Sequence, residues 1–271
     1  MRGLINWWQG RVLAHERARI APHDWEQVWE ALPLLADLTE LESCRLADLA
    51  LLFLREKRID PAQGLELTDP MRLAIALQAC LPILELGLDW FAGWYAVILY
   101  PEEFVPEREV VGDDGVVWIE HEAKSGEAWE QGPVILSWAD VAASCERDGY
   151  NVVIHEFVHK LDLRDGAANG CPPLHPEMSP RQWTDTFAAA YQDLCDRVDV
   201  GDATPFDSYA TESPAEFFAV ISESFFEVPK RLHAEYPGVY EQLRAFYRQD
   251  PLARMRATRP SARMSLPGWS R

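Results

Sequence analysis

The sequence from residue 151 to residue 162 is NVVIHEFVHKLD, which contains the pattern His-Glu-x-x-His starting at His155. Neither Gly nor Pro interrupts it, and Asp148 or Asn151 can cap a helix at its start, so we predict a helix over about 150–164. Apolar residues nearly surround this helix, which predicts that most of it is buried. The polar side chains of the motif then lie inside the core, where each needs a partner.

The motif places metal-binding groups on one face of this helix. With about 3.6 residues per turn, His155 and His159 lie one turn apart. Two imidazoles so placed can bind one Zn²⁺, and Glu156 beside them can polarise a water molecule at the metal. The alternative is that the pattern arose by chance and that both histidines are ordinary hydrogen-bonded residues of the core.

The composition argues against several classes of protein. The chain has 271 residues, 48% of them hydrophobic, and a formal net charge of −19, which disfavours nucleic acid or an anionic membrane as a partner. The five cysteines form no Cys-x-x-Cys pair, so a disulfide framework or a cysteine zinc site is not expected. Residues 1–20 contain only a short apolar patch, so we do not expect them to be a secretory signal. Acidic residues interrupt the longest apolar stretch, residues 81–100, so we do not expect it to span a membrane. We expect a cytoplasmic protein with reduced thiols.

The spacing of apolar residues predicts helices on both sides of a small sheet. Helical spacing dominates residues 1–90, whereas residues 94–100, 116–120 and 134–138 are short runs rich in β-branched and aromatic residues. We read these runs as a sheet of three or four strands, whose edge could accept an extended peptide. The motif helix and further helices follow.

We expect one domain over residues 1–250, composed of a helical part (1–90) and a part with the sheet and the motif helix (91–250). Residues 251–271 contain five arginines and no acid. This basic tail is interpreted as a solvated, partly disordered segment, or as a segment that packs on the acidic body or on a partner.

A catalytic zinc site needs a third protein ligand. An extended form of the motif would require Gly at position 162 and His at position 165, but Asp162 and Asp165 are found there. His121 lies in the predicted sheet and His175 in a proline-rich loop, so neither is a good candidate.

Glu216 is a better candidate for the third ligand. It lies in the first turn of a helix that should start at Ser213, and its neighbours are apolar, so its carboxylate needs a partner. The alternative is that Glu216 completes a capping box with Ser213, because the spacing is Ser-x-x-Glu. Glu212 and Glu223 compete for the same role, and Glu223 lies two turns on from Glu216 on the same face.

These motifs occur together in one known family. The sequence HEFVHKLD from His155, then Tyr209 seven residues before Glu216, then EFFA from Glu216, resembles the Mlc titration factor A family of zinc peptidases. The catalytic domain of anthrax lethal factor shows the same two-part pattern. The resemblance covers most of the chain and includes GPVILSW at 132–138 and SESFF at 222–226. It implies an α+β, mainly helical, gluzincin-like metallopeptidase fold with a small mixed sheet beside the active-site helix.

The resemblance also implies a role for each site residue. The metal ligands would be His155, His159 and Glu216. Glu156 would be the general base, and Tyr209 would be a second catalytic group that donates a hydrogen bond to the oxyanion. Asp162, one turn past His159, can orient a ligand imidazole, or it can be a solvated acid on the helix face.

The implied activity is zinc-dependent hydrolysis of a peptide or protein substrate, including aminopeptidase activity. The family also implies a second role, in which the protein binds and inactivates a transcriptional repressor of sugar uptake. A non-catalytic protein that sequesters the repressor and carries a structural zinc is the alternative. Such a protein needs an exposed recognition surface but no general base, so the intact motif favours catalysis.

Overall fold

Helices dominate the computed structural model, which describes residues 13–102, 107–111, 117–121, 126–128 and 132–257. The helices are α1 (residues 13–19), α2 (Pro22–Ala31), α3 (Glu40–Glu56), α4 (Asp69–Cys80), α5 (Trp138–Ala143), α6 (Val152–Asp162), α7 (Pro180–Asp199), α8 (Pro214–Glu227), α9 (Pro229–Glu235), α10 (Pro237–Tyr247) and α11 (Pro251–Ala257). The strands are β1 (Arg58–Pro61), β2 (Ala96–Tyr100), β3 (Glu107–Val111), β4 (Val117–His121), β5 (Gly126–Ala128) and β6 (Val134–Ser137). The predicted α+β class is confirmed.

A four-stranded mixed sheet has the order β1-β2-β6-β5. The strands β1, β2 and β6 are parallel, and β5 runs antiparallel to β6 at the edge. Because parallel neighbours need a crossover, the chain passes through α4 between β1 and β2. The predicted strands at 94–100 and 134–138 therefore pair with each other.

The prediction for the remaining strands was wrong in detail. The strand expected at 116–120 is β4, which pairs with β3 in a separate two-stranded sheet instead of joining the main one. The strands β1, β3 and β5 were missed. For β1 and β5 the reason is their length, which is only 4 and 3 residues. Runs this short carry too few residues to show a period of two.

The helix α6, which carries the His-Glu-x-x-His motif, lies in the core against α4, α8 and the strands β5 and β6. The Asn151 side chain caps it, with Oδ1 accepting from the amide N–H of Ile154 at 2.9 Å. The helix ends at Asp162, and a short 3₁₀ turn continues to Asp165 before Gly166 reverses the chain at φ 93°. A left-handed residue at this position favours Gly.

Aromatic packing sets the rotation of α6 about its own axis. Phe157 is fully buried, and its ring lies 5.5 Å from Phe53, 5.3 Å from Phe91 and 5.6 Å from Trp94. Burial of such a ring contributes roughly 1.5–3 kcal/mol. On a helix Phe157 lies about 200° from both His155 and His159. Its insertion into the aromatic cluster therefore turns both imidazoles toward α8.

Part of the predicted basic tail belongs to the folded body. Residues Pro251–Ala257 form α11, and Arg254 Nη2 lies 2.6 Å from Glu42 Oε1 on α3. The remaining tail residues, 258–271, lie outside the described residues, and the single domain over 1–250 stays a prediction. Within the described ranges, none of the helices combines the length and apolar character that crossing a bilayer requires.

Candidate metal centre

Three side chains from two helices converge on one point. His155 and His159 come from consecutive turns of α6, and Glu216 comes from the first turn of α8. Glu216 Oε2 lies 3.0 Å from His155 Nε2 and 3.3 Å from His159 Nε2, and the two Nε2 atoms are 3.2 Å apart. Among the described residues, this is the one group of three His, Cys, Asp or Glu side chains whose ligand atoms all lie within 4.8 Å.

The arrangement fits a tetrahedral Zn²⁺. Two imidazole nitrogens and a carboxylate oxygen form a known catalytic zinc donor set. With metal–ligand bonds of about 2.1 Å, a tetrahedral ion separates its ligand atoms by roughly 3.4 Å. The observed separations of 3.0, 3.2 and 3.3 Å are close to this value. Two facing imidazole nitrogens can share only one proton, so a cation suits the site better than hydrogen bonding alone.

The start of α8 holds Glu216 in place. The Ser213 hydroxyl accepts from the amide N–H of Glu216 at 3.2 Å, and Pro214 occupies the first turn, as is common at a helix start. The side-chain carboxylate of Glu216 contacts the two imidazoles. The cap therefore does not compete for the carboxylate, and it fixes the backbone from which the carboxylate projects.

The three converging side chains polarise one another strongly. Burial would raise the pKa of the Glu216 carboxyl, but hydrogen bonds to His155 and His159 hold it well below its ordinary value. Burial would lower the pKa of His155, but its hydrogen bonds to Glu216 and Glu223 raise it well above the ordinary value. A cation at this point therefore competes with a proton on His155, as is usual for metal ligands.

Glu223 lies behind His155, at the ring nitrogen opposite the one that faces Glu216 and His159. Its Oε1 is 2.8 Å from His155 Nδ1, and its Oε2 accepts from the amide N–H of Asn151. An acceptor at Nδ1 keeps the proton there and leaves Nε2 free to bind a metal. From the sequence, Glu223 was expected only as a competing ligand. Its two-turn spacing from Glu216 was the signal that it shares this face of α8.

Glu156 and Tyr209 lie beside the three converging groups. Glu156 is buried, and its charge contributes to raising the pKa of both His155 and Tyr209, which places it near both. Tyr209 is 42% exposed in the 3₁₀ turn ahead of α8, with its ring 6.0 Å from the ring of His155. Burial of the phenol and the charge of Glu216 raise the pKa of Tyr209. Its hydroxyl therefore stays protonated and can donate a hydrogen bond.

Asp162 is fully buried, so it is not the solvated acid that was one alternative. Its Oδ2 accepts from the amide N–H of Gly170 at 2.7 Å, and a Cβ at Gly170 would lie 2.4 Å from the Pro214 carbonyl oxygen. Asp162 thus holds the loop that passes directly against the start of α8. Burial raises the pKa of Asp162 to about 6, while the nearby charge of His159 lowers it. Orientation of an imidazole by Asp162 stays a prediction.

The other candidate ligands have different surroundings. Glu212 is exposed at the end of the 3₁₀ turn before α8. His175 Nε2 lies 2.8 Å from the carbonyl oxygen of Phe246, and its ring packs against Trp90. The side chain of His121 lies outside the described part of the chain.

The chain is similar to proteins of one known family over most of its length. Residues 4–248 match the family model described as glucose-regulated metallo-peptidase M90. A protein named Mlc titration factor A from Klebsiella pneumoniae is 41% identical over 245 residues, which is 90% of this chain and 92% of the relative. The proteins of that name from Cronobacter sakazakii and Escherichia coli are 40% and 39% identical, covering 93% and 94% of this chain and 95% and 96% of their own lengths. The chain therefore belongs to the M90 family of glucose-regulated metallo-peptidases.

Proposed function

We propose that the protein is a zinc-dependent peptidase, with His155, His159 and Glu216 holding the metal. The observation that carries this proposal is the convergence of their three ligand atoms beside the buried carboxylate of Glu156. Two imidazoles and one carboxylate leave a fourth tetrahedral position free, as a catalytic zinc site requires. When bound, Zn²⁺ would supply Lewis-acid chemistry to a carbonyl group and to water.

The side chains around this point have complementary roles in peptide hydrolysis. Glu156 takes a proton from the attacking water as the new C–O bond forms, and gives it to the amine as the C–N bond breaks. The protonated hydroxyl of Tyr209 donates a hydrogen bond to the carbonyl oxygen as negative charge develops there. Glu223 orients the imidazole of His155. Asp162, whose pKa is lowered by the nearby charge of His159, orients that second imidazole.

The sheet supports an extended peptide as the substrate. Strand β5 is one of the two edge strands of the four-stranded sheet and packs against α6. A peptide can add to such an edge through main-chain hydrogen bonds, which would place it alongside the metal centre. We further propose aminopeptidase activity. Cleavage of a peptide with a free N-terminus, and not of its N-acetylated form, would support it, whereas equal cleavage of both would contradict it.

The test of the peptidase proposal combines metal analysis with a peptide-cleavage screen. Glu156→Gln keeps the shape of the side chain but cannot accept the proton of water, so we expect stoichiometric zinc and loss of nearly all activity. Glu146→Gln, at an exposed position on the same chain, is the matched control and should cleave at the wild-type rate. Near wild-type turnover by Glu156→Gln would refute the catalytic proposal and favour a structural zinc.

A second function is favoured by the name of the relatives, which are titration factors for Mlc. We propose that this protein, in the cytoplasm, also binds a transcriptional repressor of that kind. Binding requires a surface and no general base, so Glu156→Gln should bind a purified Mlc repressor as tightly as the wild type does. Absence of binding by both proteins in a calorimetric titration would overturn this second function while leaving the peptidase proposal intact.

A further inference from the structure

Asn151 stands at the centre of a buried group of polar side chains behind the metal centre. We call this group the Asn151 network; it consists of Gln78, Ser144, Asn151, Glu223 and Glu227. Every member is at most 2% exposed, although none of them belongs to the three converging ligands. Burying a polar group costs free energy unless it forms hydrogen bonds, whereas apolar side chains at these positions would carry no such cost.

The hydrogen bonds fix Asn151 in one orientation. Its Oδ1 accepts from the amide N–H of Ile154 and so caps α6. Its Nδ2 faces three acceptors, at 2.8 Å from Gln78 Oε1, 3.0 Å from Glu227 Oε1 and 3.4 Å from the carbonyl oxygen of Ser144. An amide group has two N–H protons, so the two shorter contacts use both of them. Reversing the amide would place its oxygen against three acceptors and its nitrogen against a donor.

The backbone of the same residue reaches the metal centre. The amide N–H of Asn151 donates to Oε2 of Glu223, while Oε1 of Glu223 contacts His155 Nδ1. Glu223 and Glu227 lie one turn apart on α8. Glu223 accepts from the main chain of Asn151 and Glu227 accepts from its side chain, so α8 binds Asn151 at two points. The position of residue 151 therefore sets the position of the carboxylate that orients His155.

Gln78 closes the network from a distant part of the sequence. It lies on α4, is fully buried, and donates from Nε2 to the Ala74 carbonyl oxygen at 3.0 Å. That bond directs Oε1 of Gln78 toward Asn151. Gln78 on α4 thus hydrogen-bonds to the side chain of Asn151, and the backbone of Asn151 hydrogen-bonds to Glu223, which contacts a ring nitrogen of His155.

We propose that Asn151 and Gln78 are positioning residues of the metal centre, which act on zinc affinity through Glu223 and His155. This inference rests on the proposed zinc site and deepens it. A purely structural role would affect only the stability of the fold. A positioning role also changes how strongly the folded protein holds the metal, because a misplaced Glu223 no longer keeps the His155 proton on Nδ1.

The chain offers a matched pair of variants to separate these roles. Gln78→Leu removes the acceptor for Asn151. Gln249→Leu is the control. It removes another buried glutamine amide, which donates to the carbonyl oxygen of Leu81 just past the end of α4 and has no hydrogen bond to the described side chains of the Asn151 network. Asn151→Ser is a second variant, since Ser also caps helices but lacks the Nδ2 donor. Circular dichroism of the metal-free proteins establishes that each one is folded.

The measurement is zinc affinity by competition with a chromogenic chelator, on wild type and variants. A residue that touches a ligand typically changes metal affinity by about 10- to 100-fold. We expect roughly 3- to 10-fold weaker zinc binding for Gln78→Leu and Asn151→Ser, which act one step further away, and unchanged binding for Gln249→Leu. If both network variants bind zinc as tightly as wild type, the positioning role is refuted while the metal site stands. The same holds if Gln249→Leu loses as much zinc affinity as the network variants do. A wild type that binds no zinc would refute the proposed metal site itself.

Discussion

Replacing Glu223 by Gln changes one atom and tests how the metal centre is built. The carboxylate accepts from two donors at once, the Asn151 amide N–H at Oε2 and the His155 ring at Nδ1. A Gln side chain has one accepting oxygen, and its other end is a donor. One of the two contacts in the variant must therefore set a donor against a donor, or the His155 proton must move to Nε2 and block the metal.

The size of the effect follows from burial. Glu223 is 2% exposed and the Asn151 amide is enclosed, so water cannot replace the lost acceptor. An unsatisfied buried donor costs about 1–3 kcal/mol. Loss of the partner of a ligand histidine weakens metal binding by roughly 10- to 100-fold, which corresponds to about 1.4–2.7 kcal/mol. The two estimates agree, and we expect zinc affinity to fall within this range.

The assay is zinc competition against a chelator at pH 7, and the matched control is Glu227→Gln. Glu227 lies one turn further along α8 and is equally buried. It accepts a hydrogen bond from Asn151, whereas the carboxylates that hydrogen-bond to His155 are Glu216 and Glu223. Burial raises the pKa of Glu227 to about 8, so it is mainly neutral at pH 7 and Gln is a close replacement. We expect the control to bind zinc within about twofold of wild type. Wild-type affinity in Glu223→Gln would show that the hydrogen bond to Nδ1 does not orient the ligand.

Three further predictions follow from the same geometry. Glu216→Ala should lose stoichiometric zinc in metal analysis, and retention with unchanged affinity would instead point to Glu212. Tyr209→Phe should keep its zinc and its Tm but lower kcat about 10²-fold, the typical loss for one oxyanion donor, and an unchanged kcat would remove Tyr209 from the mechanism. Because the Glu227 pKa rises from 4.5 to about 8 on folding, the folded state holds a proton that the unfolded chain releases. This one group should therefore lower the stability of metal-free wild type from pH 5 to pH 8, by at most about 1.4 kcal/mol per pH unit, and Glu227→Gln should remove that contribution from the slope in urea unfolding curves.

The sequence predicted helix boundaries and caps best, because these depend on residues close together in the chain. The helix of residues 150–164 corresponds to α6 with its 3₁₀ extension, and Asn151 proved to be the cap. The start of α8 at Ser213 and Pro214 was visible from the same rules. Caps and helical periodicity depend on residues within a few positions of each other, so a single sequence contains the whole signal.

The sheet was predicted less well, because strand pairing joins distant residues. The pairing of β2 with β6 and the exclusion of β4 from their sheet depend on contacts between segments that no local pattern records. The short strands β1 and β5 are held by their neighbours and not by their own sequence. Tertiary packing decides such elements.

By itself, the sequence determined that two imidazoles share one face of a buried helix and that a carboxylate opens another helix some 60 residues later, since both statements follow from spacing along a single element. It left Glu212, Glu216 and Glu223 as competing ligands. Only the tertiary structure separated them, because the packing of α8 on α6 turns Glu216 toward Nε2 of both imidazoles and Glu223 toward Nδ1 of one. The packing of α4 and α8 around the start of α6 likewise assembled the Asn151 network from residues 73 and 76 positions apart, a distance over which periodicity carries no information.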